Sequence, residues 1–562
     1  MITTDKLSCN ILADLLIAHG IKHVVLSPGS RNSPLIIALT RREDLESHVV
    51  IDERSASFIA LGMAIQSATP VALVCTSGTA LLNYAPAVAE AFYRGIPLIV
   101  ISADRPEEWI DQDDSQTLWQ QNALAPYVKR SCDIAAHLEF ENGKWMCNRE
   151  INDVLIEAEN GRPGPVHINI RLDSPLNMMT DYKPDSSRVI RMVTPPMELS
   201  TSEARKLGER LASPKKVLII VGFHKPDESL NRALAKLARL PNVVVMTESI
   251  ANLHSPSFIS RIDMTLRILS ADDKKQLQPN VVITAGGALV SRHVKEWIRS
   301  MNSSVEHWHV GLSHVTVDCF KHLTLRIGMD AHVFLRQLAS ALQIHKEPCD
   351  YSSRWHELYE KAIASHESYI RNAPWCDLTA FSYIISHLPR QWNLHLSNGT
   401  SVRYAQLMDC VRLHRCECNR GVSGIDGCTS TALGASVLYN DVTLLISGDM
   451  SFQYDISALS STLMSPRFKM IVLCNGGGGI FRFISATSNL PETEDFLAVG
   501  TRLPLRNLAE GYGFAYYEAS SLSDLDEVFP TFIAEEKSPA LLAVNTPPQL
   551  SAEILKQYFQ QP

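Results

Sequence analysis

The stretch LLISGDMSFQYD, Leu444 to Asp455, carries an aliphatic run that ends in Gly448 and Asp449. A second aliphatic run follows in FKMIVLCNGGGG, Phe468 to Gly479, and it ends in Asn475 and a row of glycines. Each run is short, apolar and bounded by turn residues, which is typical of a strand that is buried on both faces. The two runs therefore predict neighbouring strands of one parallel sheet, with Asp449 and Asn475 projecting from the same edge.

The same alternation of aliphatic strands and amphipathic helices occurs in three blocks, for example in VALVC and LIVIS, in VLIIV and VVVMT, and in the two strands above. It predicts an α/β protein with three doubly wound parallel-sheet domains, at residues 1–182, 183–350 and 351–562. Polar segments that contain proline, 179–200 and 345–375, are predicted to connect the blocks. Within the first block, TALLNYAPAVAEAFYRG (79–95) predicts one continuous helix.

Composition restricts the function classes. The 562 residues carry a net charge of −8 and no basic tract, so nucleic acid is not an expected partner. The sequence shows neither a signal peptide nor an apolar run long enough to cross a bilayer. Its twelve cysteines are scattered, and the one close pair (Cys416 and Cys418) lacks the second half of a zinc site. These features predict a cytoplasmic enzyme with reduced, mostly buried thiols.

Asp449, Asn475 and a free carbonyl of the glycine run offer the hard oxygen ligands that Mg²⁺ prefers, completed by phosphate and water. Gly448 permits a sharp turn before the carboxylate, and the glycines permit positive φ and a close approach of the backbone. Two ordinary strand-end loops are the alternative interpretation. Gly448 and Asp449 alone would favour that alternative, whereas the second polar strand end favours a metal and phosphate site.

GDMSFQYDISALSSTLMSPRFKMIVLCNGGGG resembles the thiamine-diphosphate-binding motif, from which it departs at Met450 and Cys474. The resemblance implies thiamine diphosphate and Mg²⁺, with Mn²⁺ as an alternative metal. It makes Asp449, Asn475 and the carbonyl of Gly477 the metal ligands. The same motif places Gly448, Met450 and Ser451 against the cofactor.

Enzymes of this class also use an acid that engages N1′ of the cofactor pyrimidine, usually a glutamate in an apolar pocket. Glu53, in VVIDERSASF, follows a predicted strand and precedes a helix, so it matches that position. On its position alone, Glu53 is equally well explained as a charge that interacts with the helix dipole. Ile425, in GVSGIDG, matches the bulky aliphatic residue that bends the cofactor in this class.

Six motifs narrow the resemblance: SPGSRNSPL, DERSASF, TSGTA, SADRPEE, SNGTSVR and NRGVSGIDG. Their identity and order over nearly the whole chain resemble the 2-succinyl-5-enolpyruvyl-6-hydroxy-3-cyclohexene-1-carboxylate (SEPHCHC) synthase family of menaquinone biosynthesis. The implied reaction decarboxylates 2-oxoglutarate and adds the succinyl carbanion to isochorismate in a 1,4-addition. The three domains would then be the pyrimidine-binding, central and diphosphate-binding domains.

Both substrates of that family are dicarboxylates, and the planar fork of arginine binds carboxylates in bidentate fashion. The resemblance assigns the distal carboxylate of 2-oxoglutarate to Arg403 and Arg420. It assigns the isochorismate side to Ser30, Arg31, Arg105, Gln116 and Arg292. If the family resemblance is set aside, each of these arginines is interpreted as a solvated charge on the surface. The chain also departs from its relatives at Gly399, where they often carry serine, and Thr400 or Ser401 is the candidate replacement.

Two alternatives remain open from the residues. Another thiamine-diphosphate-dependent 2-oxoacid decarboxylase or carboligase would share the cofactor site but not the arginine set. A nicotinamide-dependent oxidoreductase would need G-x-G-x-x-G after a strand, which TAGGALVS does not supply. In the resembling family one cofactor pocket combines residues of two subunits, so the resemblance implies a homodimer or a dimer of dimers.

Overall fold

The computed structural model describes residues 1–184, 187–195, 197–212, 214–313, 315–342, 348–500 and 503–560. The chain forms two compact units, one from 1–194, 421–443 and 454–468, and the other from 195–420, 444–453 and 469–562. Three six-stranded sheets lie at residues 23–171, 217–327 and 393–545. The prediction of an α/β protein with three parallel sheets is confirmed, whereas the domain boundaries near residues 182 and 350 stay predictions.

The first sheet contains β2 (His23–Leu26), β3 (Glu46–Val49), β4 (Val71–Cys75), β5 (Leu98–Asp104), β6 (Ser131–Ile134) and β7 (Val166–Arg171). Their order is β3-β2-β4-β5-β7-β6, and all pairs are parallel. β1 (Ile2–Thr4) and β8 (Met179–Asp181) form a separate antiparallel pair, so the predicted connection at 179–200 begins as a strand. The helices are α1 (Leu7–Ala18), α2 (Ser33–Thr40), α3 (Glu53–Ser67), α4 (Thr79–Asn83), α5 (Ala85–Arg94) and α6 (Gly143–Glu159).

The prediction of a single helix over residues 79–95 is wrong. The segment forms α4 and α5, which meet at Tyr84. Pro86 explains the break, because its ring removes one backbone donor and clashes with the carbonyl four residues earlier in a continuous helix. At the start of α5 the same proline is well tolerated.

The middle sheet contains β9 (Val217–Val221), β10 (Val243–Thr247), β11 (Phe258–Ile259), β12 (Val281–Ala285), β13 (Glu306–Val310) and β14 (Leu323–Ile327), in the order β11-β10-β9-β12-β13-β14. Its helices are α7 (Thr201–Arg210), α8 (Glu228–Leu237), α9 (Ile262–Arg267), α10 (Ala271–Gln276), α11 (Arg292–Arg299) and α12 (Ala331–Ala341). The aliphatic residues of β9, β10 and β12 are buried in one core with α8 and α12.

The third sheet contains β15 (Asn393–Leu396), β16 (Arg415–Cys418), β17 (Thr443–Gly448), β18 (Phe468–Cys474), β19 (Ala515–Ala519) and β20 (Ala540–Asn545), in the order β16-β15-β17-β18-β20-β19. The helices are α13 (Tyr351–Asn372), α14 (Asp377–His387), α15 (Ser401–Ala405), α16 (Cys428–Leu438), α17 (Asp449–Tyr454), α18 (Gly479–Phe483), α19 (Leu505–Gly511), α20 (Leu522–Ala534) and α21 (Pro548–Gln560). The predicted connection at 345–375 is mostly α13, a 22-residue helix, and its residues 345–347 lie outside the described part.

In the first unit, α3 and α16 approach each other closely. A Cβ atom on Gly62 of α3 would lie 1.9 Å from the carbonyl oxygen of Thr431, and one on Gly434 of α16 would lie 2.0 Å from that of Ile59. The contact therefore requires glycine on both helices. It connects the helix that begins at Glu53 to the helix that follows Ile425.

The structure bears on two expectations from composition, which concern membrane-spanning segments and the state of the cysteines. In the described part of the chain, no helix is both long and apolar enough to cross a membrane. All twelve cysteines are free thiols, and all except Cys319, Cys349 and Cys474 are buried.

Candidate functional site

Asp449 and Asn475 lie at one edge of the third sheet, as the sequence predicts. Asp449 follows the last residue of β17 and Asn475 follows the last residue of β18, and these strands are neighbours. Both residues are buried, with 4% and 3% of their surface exposed. The backbone N–H of Gly477 donates to Oδ2 of Asp449 at 2.9 Å, so the glycine run folds back onto the carboxylate.

The Asp449 carboxylate suits a cation. Burial raises its pKa, against hydrogen bonds from Gly477 and Met450 and the charge of Arg482. Among the described residues it forms no ion pair. A buried carboxylate without a paired charge is costly, and a divalent cation that accepts its oxygens removes that cost.

Asp377, which the sequence analysis did not identify, orients Asn475. Nδ2 of Asn475 donates to Oδ2 of Asp377 at 2.7 Å, so the carbonyl oxygen Oδ1 is the atom that Asn475 can offer to a cation. Asp377 is the first residue of α14 and is buried, and it also accepts from the Thr546 hydroxyl. Its pKa is raised by burial, against the hydrogen bonds from Thr546 and Asn475. In the sequence Asp377 resembles any acidic residue at a helix start, so its role was not visible.

The glycine run has a conformation that only glycine accepts. Gly477 has φ +104°, and a Cβ atom there would lie 1.9 Å from the carbonyl oxygen of Ala498. Arg482, also missed by the sequence analysis, is buried and donates to the carbonyls of Asn475 and Gly476 at 3.2 and 3.1 Å. The carbonyl oxygen of Gly477 accepts from Gly479 N at 2.6 Å and has a second lone pair for a metal.

A cavity of about 440 Å³ adjoins this strand edge and is lined by Asp449, Gly476, Arg506 and Glu518, among others. Gly448, the last residue of β17, has open space where a Cβ would lie. Met450 and Ser451 open α17 directly after the carboxylate. The residues present therefore fit a divalent cation that holds a diphosphate.

Arg403 and Arg420 follow two neighbouring strands, β15 and β16, of the same sheet. Nη1 of Arg420 donates to Oδ1 of Asn398 at 3.0 Å. The Arg403 side chain makes no hydrogen bond or ion pair with any residue that the structure describes, and the Nε atoms of both arginines are buried without a partner. Burial, and next the charge of Arg420, lowers the pKa of Arg403. Two adjacent guanidinium groups with unused donors can bind a carboxylate.

The Gly399 departure can be described in structural terms. Gly399 has φ +104°, and a Cβ atom there would meet no atom within 4 Å, so the backbone conformation favours glycine although space is available. The hydroxyl of Ser401 is buried and lies 3.5 Å from that of Ser397, which accepts from Gly448 N at 3.2 Å. Ser401 is thus bound into the β15–β17 junction, while Thr400 is partly exposed.

Arg292, the first residue of α11 at the middle sheet, is mostly exposed and pairs with Glu296 at 2.6 Å. Its charge lowers the pKa of Arg403, after the larger effects of burial, Arg420 and Asp263. Glu248, a further residue that the sequence analysis missed, accepts from the backbone N–H of Val290 and Ser291 at 2.8 and 2.7 Å. Glu248 is buried, which raises its pKa to about 7, and it fixes the loop that precedes Arg292.

Glu53 is the first residue of α3 at the first sheet and is half-buried. The preceding residue, Asp52, accepts from Arg54 N and Ser55 N and so caps the helix. The Glu53 carboxylate makes no hydrogen bond with any residue in the described ranges, and its charge contributes to the raised pKa of the buried Cys75 thiol, after burial itself. Because Asp52 caps the helix, a structural role for Glu53 is less favoured than in the sequence alone.

Ile425 lies in the loop before α16. Two residues later, a Cβ atom on Gly427 would lie 2.1 Å from the ring of Phe58 on α3, so the loop is pressed against that helix. The start of α16 is fixed by Asp455, which accepts from the backbone and hydroxyl of Ser430 at 2.7 and 2.9 Å. Asp455 is buried, which raises its pKa to about 7, and the sequence analysis did not identify it.

The remaining predicted residues lie in loops of the first unit. Nη1 of Arg31 donates to the carbonyl of Leu172 at 2.8 Å, and Arg105 forms an ion pair with Asp114 at 2.8 Å. The charge of Arg105 contributes, after burial, to a lowered pKa of Arg31, so the two guanidinium groups are near each other. Two more predicted residues, Ser30 and Gln116, are exposed, and the Gln116 carbonyl accepts from the Ser77 hydroxyl.

Comparison with known proteins shows the family to which the chain is related. Residues 9–124 match the thiamine pyrophosphate enzyme N-terminal TPP binding domain, and residues 398–544 match the C-terminal TPP binding domain. The chain is 40% identical to a 2-succinyl-5-enolpyruvyl-6-hydroxy-3-cyclohexene-1-carboxylate synthase of Porphyromonas gingivalis, over 99% of this chain and 97% of that protein. Synthases of the same name from Cytophaga hutchinsonii (36%, 97% of each chain) and Bacteroides fragilis (35%, 99% of each chain) are also similar. The chain therefore belongs to the SEPHCHC synthase family of thiamine-diphosphate-dependent enzymes.

Proposed function

We propose that this protein decarboxylates 2-oxoglutarate with thiamine diphosphate and Mg²⁺ and adds the remaining four-carbon unit to isochorismate. The family supplies the reaction, and one observation in the structure supports its donor. Arg403 and Arg420 follow neighbouring strands of the third sheet, have unused donors and lie close enough for their charges to interact, and the same sheet carries Asp449 and Asn475. A donor with a second carboxylate explains such a pair, whereas pyruvate has no group for it.

In this proposal Asp449, Asn475 and the carbonyl of Gly477 hold Mg²⁺, and Gly448, Met450 and Ser451 line the diphosphate. Bound thiamine diphosphate supplies a nucleophilic carbon that permits decarboxylation of a 2-oxoacid. Asp377 keeps the Asn475 oxygen directed to the metal, because it accepts the amide N–H at 2.7 Å. Arg482 holds the glycine run through the carbonyls of Asn475 and Gly476.

Glu53 would hold a proton at N1′ of the pyrimidine ring. A carboxyl group without a hydrogen bond from the protein is free to donate one to a ligand. Ile425 would contact the two rings of the cofactor, on the loop that Phe58 and Asp455 fix in place. Both assignments, of Glu53 and of Ile425, come from the resemblance, and the structure supplies only the contacts of neighbouring residues.

For the substrates, Arg403 and Arg420 would bind the distal carboxylate of 2-oxoglutarate. Isochorismate would be bound by Ser30, Arg31, Arg105, Gln116 and Arg292. Arg31 and Arg105 are already oriented by Leu172 and Asp114, which fixes their positions before a ligand arrives. Completion of the cofactor pocket by a second copy of the chain, and hence a homodimer or dimer of dimers in the cytoplasm, belongs to the same proposal.

The experiment is incubation of the purified full chain with thiamine diphosphate, Mg²⁺, 2-oxoglutarate and isochorismate, with identification of the product by mass spectrometry. Omission of each component in turn should abolish the product. A product that forms equally well from pyruvate would favour a different carboligase of the same cofactor class. Consumption of 2-oxoglutarate without isochorismate-derived product would favour a simple decarboxylase.

A further inference from the structure

Three side chains that ligate metals in other proteins meet at the amino ends of β2 and β3. His23 is the first residue of β2, and Glu46 and His48 lie in β3. In the part of the chain that the structure describes, this is the one group of three His, Cys, Asp or Glu residues whose ligand atoms all lie within 4.8 Å of one another. None of these residues belongs to the cofactor or substrate site proposed above.

The register of the two strands brings the three side chains to one face. His23 pairs with Glu46, and Val25 pairs with His48, in a parallel ladder. Since side chains alternate between the faces of a sheet, Glu46 and His48 point to the same side of β3, and His23 joins them from β2. The register of the two strands therefore places the three residues on one face of the sheet, within reach of one another.

Two of the three distances between ligand atoms match a tetrahedral metal site, and the third, from His48 to Glu46, is within 4.8 Å. Nε2 of His48 lies 3.5 Å from Nδ1 of His23, which lies 3.4 Å from Oε2 of Glu46. A Zn²⁺ ion binds histidine nitrogen and carboxylate oxygen at about 2.0–2.2 Å, so neighbouring ligands at a tetrahedral centre lie about 3.3–3.6 Å apart.

A hydrogen bond and an ion pair are the simpler explanation, and they conflict at Nδ1 of His23. If this nitrogen accepts a proton from His48, its lone pair faces that donor and it cannot donate to Glu46. If it donates to Glu46, it has no lone pair for His48. A cation between the three groups accepts a lone pair from each of them and removes the conflict.

We propose that His23, Glu46 and His48 bind a divalent cation of the zinc class, with water in the fourth position. The donor set of two imidazoles and one carboxylate suits Zn²⁺, Co²⁺ or Ni²⁺ and not Mg²⁺, which prefers oxygen ligands alone. The ion clips the edge strand β3 to β2. β3 leads to Glu53 five residues after His48, so the clip also steadies the segment that carries this carboxylate.

Such a clip has a physical reason at this place. β3 is an edge strand with β2 as its only neighbour in the sheet, and three of its four residues are exposed. Little apolar burial holds it, so local opening there is expected to cost less than opening of β4 or β5, whose residues are all buried.

The test uses the full chain saturated with thiamine diphosphate and Mg²⁺, and titrates it with Co²⁺. Tetrahedral Co²⁺ absorbs visible light far more strongly than octahedral Co²⁺, so exchange into an oxygen-rich Mg²⁺ site gives little signal. We expect one equivalent to bind with intense bands. His23→Gln, His48→Gln and Glu46→Gln should each weaken binding by at least about tenfold.

His332→Gln is the matched control, since His332 is an exposed histidine that pairs with a carboxylate, Asp330, at 2.7 Å but has no second histidine. It should bind Co²⁺ as the wild type does. Glu46 is 69% exposed, so its variant tests the site even if a histidine variant fails to fold. Absence of intense bands in the wild type, or equal bands in the Glu46→Gln variant, would overturn the proposal.

Hydrogen–deuterium exchange gives a second readout that activity does not influence. With Zn²⁺ added to the same loaded protein, amides of residues 46–50 should exchange at least about tenfold more slowly, because the edge strand opens less often. The Glu46→Gln variant should show no such slowing. Equal exchange with and without Zn²⁺ in the wild type would show that no clip exists.

Discussion

The carboxyl edges of the third and the first sheet arrange their charged groups in opposite ways. At the third sheet the acidic group is held by the protein, since Asp449 accepts from Gly477 N and Met450 N, while Arg403 has no partner among the described residues. At the first sheet the arginines are held, since Arg31 donates to Leu172 and Arg105 pairs with Asp114, while Glu53 makes no hydrogen bond that the structure describes.

This contrast separates groups whose position is fixed in advance from groups whose partner is a ligand. A buried polar group without a partner costs free energy, so it persists where a ligand satisfies it. By this argument, Arg403 is expected to gain its hydrogen-bond partner from a substrate, and Glu53 from a cofactor. Asp449 differs from Arg403 and Glu53. Hydrogen bonds orient its carboxylate, but no cation among the described residues forms an ion pair with it.

The largest effect is expected for Asp449→Ala. Loss of one charge from a buried pair costs about 3–5 kcal/mol, so affinity for thiamine diphosphate in the presence of Mg²⁺ should fall roughly 150- to several-thousand-fold. Isothermal titration calorimetry measures this affinity. Asp449→Asn keeps the hydrogen-bond acceptor and should still lose most of the affinity, because the charge matters more than the hydrogen bond. Unchanged affinity in both variants would show that the metal lies elsewhere.

Glu53→Gln should lower turnover by about 10²- to 10⁴-fold and leave cofactor affinity nearly unchanged, because glutamine keeps the size but cannot supply the proton. Hydrogen–deuterium exchange at C2 of the bound cofactor measures the step directly. Asp52→Ala is the matched control: it should cost about 0.5–2 kcal/mol of stability through loss of the helix cap and leave that exchange within a few-fold of the wild type. Normal exchange at C2 together with a loss of stability in Glu53→Gln would assign Glu53 to helix capping.

Arg403→Ala should reduce kcat/KM for 2-oxoglutarate by roughly 30- to several-thousand-fold, because removal of one partner of a buried charge pair costs about 2–5 kcal/mol. Arg420→Ala should act similarly, and the double variant should lose less than the sum if both bind one carboxylate. Steady-state kinetics with 2-oxoglutarate and pyruvate checks the donor. Equal losses for both would mean that the pair supports the fold or the cofactor site.

Arg105→Ala tests an arginine whose side chain already has a partner in the protein. Arg105 is committed to Asp114, and a partly exposed ion pair contributes about 0–1 kcal/mol, so kcat/KM for 2-oxoglutarate should change less than about fivefold. Any larger effect should appear with isochorismate instead. A loss for 2-oxoglutarate as large as that of Arg403→Ala would remove the distinction between held and unpartnered arginines.

An effect on stability and not on activity is expected for Glu248, a buried carboxyl group with several partners. Its folded pKa of about 7 lies above the ordinary value of 4.5, so the folded state binds the proton more tightly than the unfolded state. Its contribution to stability is present below about pH 4.5 and is lost as pH rises to about 7. In Glu248→Gln that loss disappears, so stability relative to the wild type should increase on the order of 1–3 kcal/mol between pH 5 and 8.

Thermal unfolding of the wild type and Glu248→Gln across this pH range checks the sign. Asp263 and Lys295 lie close enough to influence Glu248, so the comparison is made at each pH and not from one curve. A constant difference in Tm between the two proteins would show that Glu248 keeps an ordinary pKa.

Much of the fold was predictable because central parallel strands are aliphatic throughout. VALVC, VLIIV, TLLISG and FKMIVLC all form strands, and each lies inside its sheet. The strands that the aliphatic pattern did not identify include SCDI, LTLRI, RCEC and AYYEA, and each of these is an edge strand. An edge strand faces solvent on one side, so its composition differs little from that of a loop.

The site residues also divide into those that the sequence identified and those that it did not. Residues within sequence motifs, such as Asp449, Asn475 and Glu53, were identified because residue type and strand-end position suffice to propose their roles. Asp377, Glu248 and Asp455 were missed because each acts on a residue distant in sequence. Asp377, for example, contacts Asn475 across 98 positions. Such a pairing has no local signature. Arg482 acts on residues only six and seven positions away, and it was missed because its residue type alone does not mark that role.

The sequence by itself determined the fold class, the family and the strand ends that carry the predicted chemistry, because these depend on local pattern and on motifs within short segments. Tertiary structure alone decided which charged groups have partners and which do not. It placed Asp377 against the amide of Asn475, left the Arg403 side chain without a hydrogen bond to any described residue, and brought His23 of β2 against Glu46 and His48 of β3. These differences arise from burial and from contacts between distant segments, and both exist only once the chain is folded.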